Sequence, residues 1–322
     1  MIQVQHLHKS FRIPPAHKSR LARIRAYLSG NLAHKTAVQD ISFTIGKGEF
    51  VGYIGPNGAG KSTTIKMLTG ILHPSSGQVL IGGRSPHRER RHVVGRLGVV
   101  FGQRSQLWWD LPVRDSFDIL AAMYRVEEQD KQRRLEELGE LLGLKEFIDT
   151  PVRKLSLGQR MRADLAAALL HDPEVLFLDE PTIGLDVVAK KNIRRLLSTV
   201  NREFGKTVLL TTHDMDDIEE LCQRVMVINH GRLAYDGTIH NLRERIGLPT
   251  ILKVTFTTRV QIPPDLQVGF QVVSESGTEL TVHCNRSELQ AMEVLRRLEQ
   301  HGTIMDVHME EPDFEEVIHK IY

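Results

Sequence analysis

Gly55 to Thr63 reads G-P-N-G-A-G-K-S-T and meets the pattern G-x-x-x-x-G-K-[ST] at every fixed position. Gly55, Gly58 and Gly60 let successive backbone N–H groups turn inward and approach an anion, with Pro56, Asn57 and Ala59 between them. The helix that follows offers its positive end to the same anion. Lys61 supplies a mobile ammonium for β- and γ-phosphates, and Ser62, next to Thr63, places a hydroxyl where Mg²⁺ binds. An ordinary Gly-rich turn between strand and helix needs no Lys-Ser at that spacing. Kinases, GTPases and motor ATPases share such a loop, so it specifies a phosphate cradle and leaves the phosphoryl chemistry open.

Other residues of chemical interest lie further along. The apolar run Val175 to Leu178 delivers Asp179 and Glu180 at its C-terminal end, the edge at which open α/β sheets hold ligands. Adjacent carboxylates there are costly unless one meets a metal and the other a proton or water. His213 follows a second apolar strand, Thr207 to Thr211, and reads either as structural or as catalytic. Ser156 and Gly158 open a helix that runs through Leu170, which suits an N-cap and equally an anion site. Phe11, at the end of an N-terminal strand, is either a core residue or a platform for a stacked ring.

The elements that position these residues alternate between strand and helix, which predicts a mainly parallel sheet covered on both faces. Phe50 to Ile54 is the strand before the loop and Ser62 to Leu68 the helix after it. Residues 1–11 read as an edge strand. Residues 12–36 form a basic insert with Leu21, Ile24 and Leu28 at helical spacing, either a solvated surface helix or one at a membrane headgroup boundary. Leu97 to Phe101 is a strand ending at Gly102 and Gln103. Trp108 and Trp109 follow, with core packing and docking both open. Residues 115–155 are helical. Beyond Pro249, strand patterns alternate with an amphipathic helix at Glu288 to Glu299, giving a small α+β appendage with no catalytic constellation.

At 322 residues the chain exceeds one compact core, so one large and one small domain are expected. Apolar content of 41% and charged content of 25% are those of a globular protein. No apolar run approaches the roughly 20 residues that span a bilayer, and a cytosolic chain is expected. Net charge of +2 gives no argument for nucleic-acid binding. Cys222 and Cys284 are isolated, as reduced thiols would be.

Taken together, the motifs over residues 1 to about 245 resemble the ATP-binding subunit of ABC transporters. The loop resembles Walker A, Gln103 the Q-loop glutamine, and Leu155 to Gln159 the family signature. Val175 to Glu180 resembles Walker B, Leu185-Asp186 the D-loop, and His213 the switch histidine. Phe11 falls where the family places its adenine-stacking aromatic. The signature here is L-S-L-G-Q, with Leu157 in place of the usual glycine. The wording around Gln103, the signature continuing Q-R-M-R and the terminal E-E-P-D-F-E-E-V look most like the ABC-2 export group, which includes the daunorubicin-resistance type.

The resemblance implies an α/β fold: a P-loop NTPase core with an antiparallel β subdomain, a helical subdomain at about 110–160, and a small C-terminal α+β domain. It places an ATPase domain at 1–247 and an accessory domain at 248–322. It implies ATP and Mg²⁺ as cofactors, with Ser62, Gln103 and Asp179 at the metal, Glu180 as general base, and His213 on the γ-phosphate. Ser156, Gly158, Gln159 and Asp186 would contact nucleotide held by a second subunit, a homodimer partner or a close paralogue. The other implied partner is a polytopic ABC-2 type permease, which would hold the chain on the inner face of the membrane. Nucleic acid is not expected. The alternative, a soluble ABC ATPase acting on ribosomes or nucleic acid, usually has two cassettes or a long coiled-coil insertion, and this chain has neither. A P-loop kinase would lack the signature and the switch histidine.

Overall fold

The computed structural model describes residues 1–13, 33–102, 104–246, 249–260, 262–263, 269–284, 289–310 and 314–321. The expected helix in the basic insert and the side chain of Gln103 therefore lie outside the described residues. The chain divides into two units, Met1–Asp236 and Gly237–Tyr322.

The first unit begins with β1 (Ile2–Ile13), β2 (Ala33–Ile45), β3 (Phe50–Ile54), α1 (Lys61–Leu68), β4 (Ser76–Ile81), α2 (Arg90–Val94) and β5 (Leu97–Phe101). There follow α3 (Val113–Tyr124), α4 (Glu128–Leu142), α5 (Leu157–Leu169), β6 (Val175–Asp179), α6 (Val187–Arg202), β7 (Thr207–Thr211), α7 (Met215–Leu221), β8 (Arg224–Asn229) and β9 (Arg232–Thr238). Six strands form one sheet in the order β5-β6-β7-β3-β8-β9. The β5, β6, β7, β3 and β8 neighbours pair in parallel. Every residue of β3 and β7 is buried, which is the mark of strands covered on both faces.

The N-terminal strand is central, not an edge. β1 lies between β2 and β4 in a three-stranded antiparallel sheet. Alternating Ile2 and Val4 look the same in either position, because the partner that decides it, β4, lies some 75 residues later. Pairing of β1 with β2 continues out to Ile13 and Ala33, so both ends of the basic insert are strand. Ile2, Val4 and Ile41 share one core with Tyr53, Ile65 and Phe177, which fastens the small sheet to α1 and the parallel sheet. Between β4 and β5 the stretch 86–96, rich in arginine, contains the short helix α2.

The second unit holds α8 (Ile239–Ile246), β10 (Thr250–Phe256), β11 (Phe270–Ser276), β12 (Glu279–Cys284), α9 (Ala291–Glu299), β13 (Ile304–Glu310) and α10 (Phe314–His319). Its four strands run antiparallel in the order β11-β12-β10-β13, and Leu252, Val254 and Val282 pack with Val294 and Leu298 of α9. The division falls one helix before the expected boundary at 247. Buried Leu242, with the Arg243 guanidinium over the Phe314 ring, joins α8 to α10.

Candidate nucleotide site

Because β3, β6 and β7 are parallel neighbours, their C-terminal ends open on one edge, and each carries a sequence-identified group. β3 ends in the loop 55–60, β6 in Asp179 and Glu180, and β7 in Thr212 and His213.

The glycines of the loop serve different purposes. Gly58 and Gly60 take left-handed φ of 83° and 113°, which a side chain disfavours. Gly55 does not; it is required by close approach, since a Cβ there would lie 2.2 Å from the Ile228 carbonyl oxygen. The loop is tied from behind by the Gly231 N–H, which donates to the Ala59 carbonyl at 2.9 Å. Beneath it, buried Tyr53 donates its hydroxyl to Thr64 Oγ1 (3.2 Å), which donates to the Gly60 carbonyl at 3.1 Å. Burial pushes the Tyr53 phenol up, so it stays a donor.

Lys61 Nζ donates to the carbonyls of Gly55 at 2.5 Å and Pro56 at 3.2 Å, which holds it across the loop. Burial pulls its ammonium below the usual lysine range, opposed by the carboxylates of Glu180 and Asp179. Loop and carboxylates stand at the same edge of the parallel sheet. Ser62 is exposed at the helix start and Thr63 half-buried.

Asp179 Oδ1 accepts from Thr211 Oγ1 at 2.5 Å. Glu180 sits at φ 57°, a left-handed backbone that costs a residue with a Cβ about 1–2 kcal/mol. The conformation is held by its N–H donating to the Thr211 carbonyl at 2.9 Å. Its Oε2 lies 2.6 Å from His213 Nδ1. No sequence signal marked that strained backbone, although strain of this kind clusters at functional sites.

The signature residues are elsewhere. Ser156 caps α5: its Oγ accepts from the Gln159 N–H at 3.2 Å, and Gln159 Oε1 accepts from the Ser156 N–H at 3.0 Å. This capping box occupies the Gln159 side chain within its own turn. Asp186 caps α6 through the Ala189 N–H at 2.8 Å. Ser156, Gly158, Gln159 and Asp186 line a cleft of about 940 Å³ that includes none of residues 55–63, Asp179, Glu180 or His213. Phe11 stands on β1 opposite Lys35, 37% exposed, with the Lys9 ammonium 5.3 Å from its ring centroid. Its exposure excludes the core reading.

The segment after Gln103 is fastened to the signature helix by a residue that sequence reasoning missed. Asp164 Oδ1 accepts from Ser105 Oγ at 2.8 Å and the Gln106 N–H at 3.0 Å. Burial pushes the Asp164 carboxyl up to about 6, opposed by those hydrogen bonds. Arg160, one turn earlier, lies 4.7 Å over the Trp109 ring. Trp108 and Trp109 are both exposed, 37% and 52%, which excludes core packing for the pair.

A parallel sheet whose central strand ends in a glycine-lysine cradle, beside a carboxylate pair and a histidine, defines a P-loop NTPase of α/β fold. Residues 38–183 match the family described as ABC transporter. The ABC transporter ATP-binding protein NatA of Bacillus subtilis is 34% identical over 208 residues, 65% of this chain and 84% of that protein. Nod factor export ATP-binding protein I of Burkholderia lata is 41% identical over 211 residues, 65% and 68% of the two chains. A solved dimer of an ATP-binding cassette in a post-hydrolysis state, bound to ADP and Pi, is 25% identical with a TM-score of 0.63, covering 74% of this chain and 98% of that one. The chain belongs to the ABC transporter ATP-binding family and is an ATPase subunit of a membrane transporter. Among the described residues no helix is long and apolar enough to cross a membrane.

Proposed function

We propose that the chain is one half of a head-to-tail ATPase dimer that drives an ABC-2 type export permease. The observation that carries this reading is the separation of Ser156, Gly158 and Asp186, in their own cleft, from Lys61, Asp179, Glu180 and His213 at the sheet edge. A second copy or close paralogue would present its signature to the first copy's loop, and two sites would close together.

In such a site the loop N–H groups and Lys61 bind the phosphates, and Phe11 stacks against adenine. The Ser62 hydroxyl and the Asp179 carboxylate, with Gln103, are hard oxygen donors of the kind Mg²⁺ takes alongside phosphate oxygens. Bound there, Mg²⁺ would offset the charge on those phosphates. Glu180 takes the proton of the attacking water, and His213 orients Glu180 and reaches the γ-phosphate. Hydrolysis then loosens the dimer, and closure and opening form the stroke.

Exposed Trp108 and Trp109, which follow Gln103 closely in sequence, suit a surface for a permease segment. That contact would hold the chain on the inner face of the membrane. The export direction draws support from the relative named for Nod factor export. Residues beyond 247 would serve as an accessory domain.

The deciding experiment uses Glu180→Gln. With ATP it should elute as a stable dimer and hydrolyse orders of magnitude more slowly, and the wild-type chain should copurify with a polytopic membrane protein lacking ATPase motifs. Undiminished hydrolysis sinks the base assignment, and a monomer under saturating ATP sinks the shared site.

A further inference from the structure

Asp217, in α7, is wholly buried, and three donors converge on its carboxylate. Oδ2 accepts from Thr182 Oγ1 at 2.5 Å and from Thr212 Oγ1 at 3.0 Å. Oδ1 accepts from Nε of Arg194, on α6, at 2.5 Å. Asp217 is 0% exposed, Thr212 1%, Thr182 2% and Arg194 7%, so these bonds are shielded from bulk solvent. Arg194 in turn donates to Glu220 at 2.9 Å and to Asp214 at 3.1 Å, and the buried charges are matched.

The positions of the two threonines give the cluster its meaning. Thr182 follows Glu180 by two residues, and Thr212 immediately precedes His213. One carboxylate oxygen thus fastens the backbone beside both members of the Glu180–His213 pair. The turn at His213 is fixed from a second side as well. Thr212 Oγ1 accepts from the Asp214 N–H at 3.0 Å, and the Asp217 N–H donates to the Asp214 carbonyl at 3.2 Å. Beyond Glu180, the Ile183 N–H closes a turn on the Glu180 carbonyl at 3.3 Å.

We propose that Asp217 is a positioning residue for ATP hydrolysis, which sets the separation and angle of Glu180 and His213 through Thr182 and Thr212. The inference rests on the reading of Glu180 as the base given above. Glu180 and His213 stand at the ends of two different strands, and their side chains meet at a partly solvated rim. Reactive geometry tolerates displacements well under 1 Å. A dry carboxylate shared by both loops supplies that tolerance, where a solvent-exposed link would not.

Thr182→Val and Thr212→Val delete the hydroxyls and leave the Asp217–Arg194 pair intact. In the purified full chain, the double variant should lose about tenfold or more in kcat, as a small misplacement of reacting groups does. The KM for ATP should stay within about twofold, because the phosphate loop is untouched. Thr182→Ser with Thr212→Ser should restore turnover. A wild-type kcat in the valine variants, with or without a lowered melting temperature, overturns the proposal, as does a serine variant that stays as slow as valine. Should the double variant not fold, each single substitution is judged by the same criteria. Glu180→Gln, run in parallel, keeps the two readings apart. If it hydrolyses ATP normally the base assignment falls; if it is inactive while the valine variants are not, only the positioning role falls.

Discussion

The Glu180 carboxylate and the His213 imidazole meet at 2.6 Å across 33 residues of sequence, each at the end of its own strand. The parallel pairing of β6 with β7, which sets Asp179 opposite Thr211, is what makes them neighbours. Glu180 reaches the contact from a left-handed backbone, and His213 from a loop whose side chain is 66% exposed.

That exposure separates stability from catalysis. A hydrogen bond at such a solvated position contributes about 1 kcal/mol, so His213→Ala should leave the melting temperature nearly unchanged. Turnover should fall about a hundredfold, the usual loss when one group aimed at developing charge is removed. ATPase assays beside thermal unfolding check it; a large stability loss with intact kcat would make His213 structural.

Two glycines of the loop should fail differently. Gly55→Ala drives a Cβ against the Ile228 carbonyl, a backbone atom that moves only if β8 moves, and overpacking of this kind costs about 1–3 kcal/mol. A Cβ at Gly58 meets nothing within 4 Å, so Gly58→Ala carries only the left-handed penalty of about 1 kcal/mol. Thermal unfolding of the apo chain should rank Gly55→Ala below Gly58→Ala. Equal losses would show that close approach to β8 is not what requires Gly55.

The loop, the carboxylate pair and the capping residue at Ser156 are legible in the sequence because each is a local pattern with a local cause. Position within a sheet is not: β1 reads as an edge until β4 is known to pair with it. Asp164, Asp217 and Arg194 are invisible for a related reason. Each is a charged residue on a helix, where solvation is the ordinary fate, and only the packing of α5, α6 and α7 turns them inward. Gly55 was legible as necessary, although its reason, the approach of β8, was not.

Asp164 provides a test by pH. Its folded carboxyl titrates at about 6 against an ordinary 3.8, because burial disfavours the charge. Between those values the folded chain holds a proton that the unfolded chain has released. Stability from this group is therefore full below about pH 4 and is lost as pH rises through about 6, a difference of about 3 kcal/mol. Asp164→Asn keeps an oxygen acceptor for Ser105 and Gln106 without the titration. Its stability relative to wild type should climb between pH 4 and 6 and then level off. Urea denaturation across that range would show it, and parallel curves would mean that Asp164 is not desolvated as its burial requires.

Lys61→Ala damages the phosphate loop, and Ser156→Arg places a bulky cation at the mouth of the signature cleft, which lies apart from that loop within one chain. Each variant alone should be inactive, since every shared site in its homodimer carries one damaged half. Mixing the two gives dimers in which one site combines both lesions and the other combines an intact loop with an intact signature. Statistical exchange puts half the dimers in that form with one working site each, so activity should return to about a quarter of wild type. A site completed within a single chain predicts no recovery, because neither variant then contributes an undamaged set. Hydrolysis that reappears on mixing, and grows with total protein concentration as dimerisation requires, would establish that the cradle at Gly55 to Thr63 works only with the Ser156 of another copy.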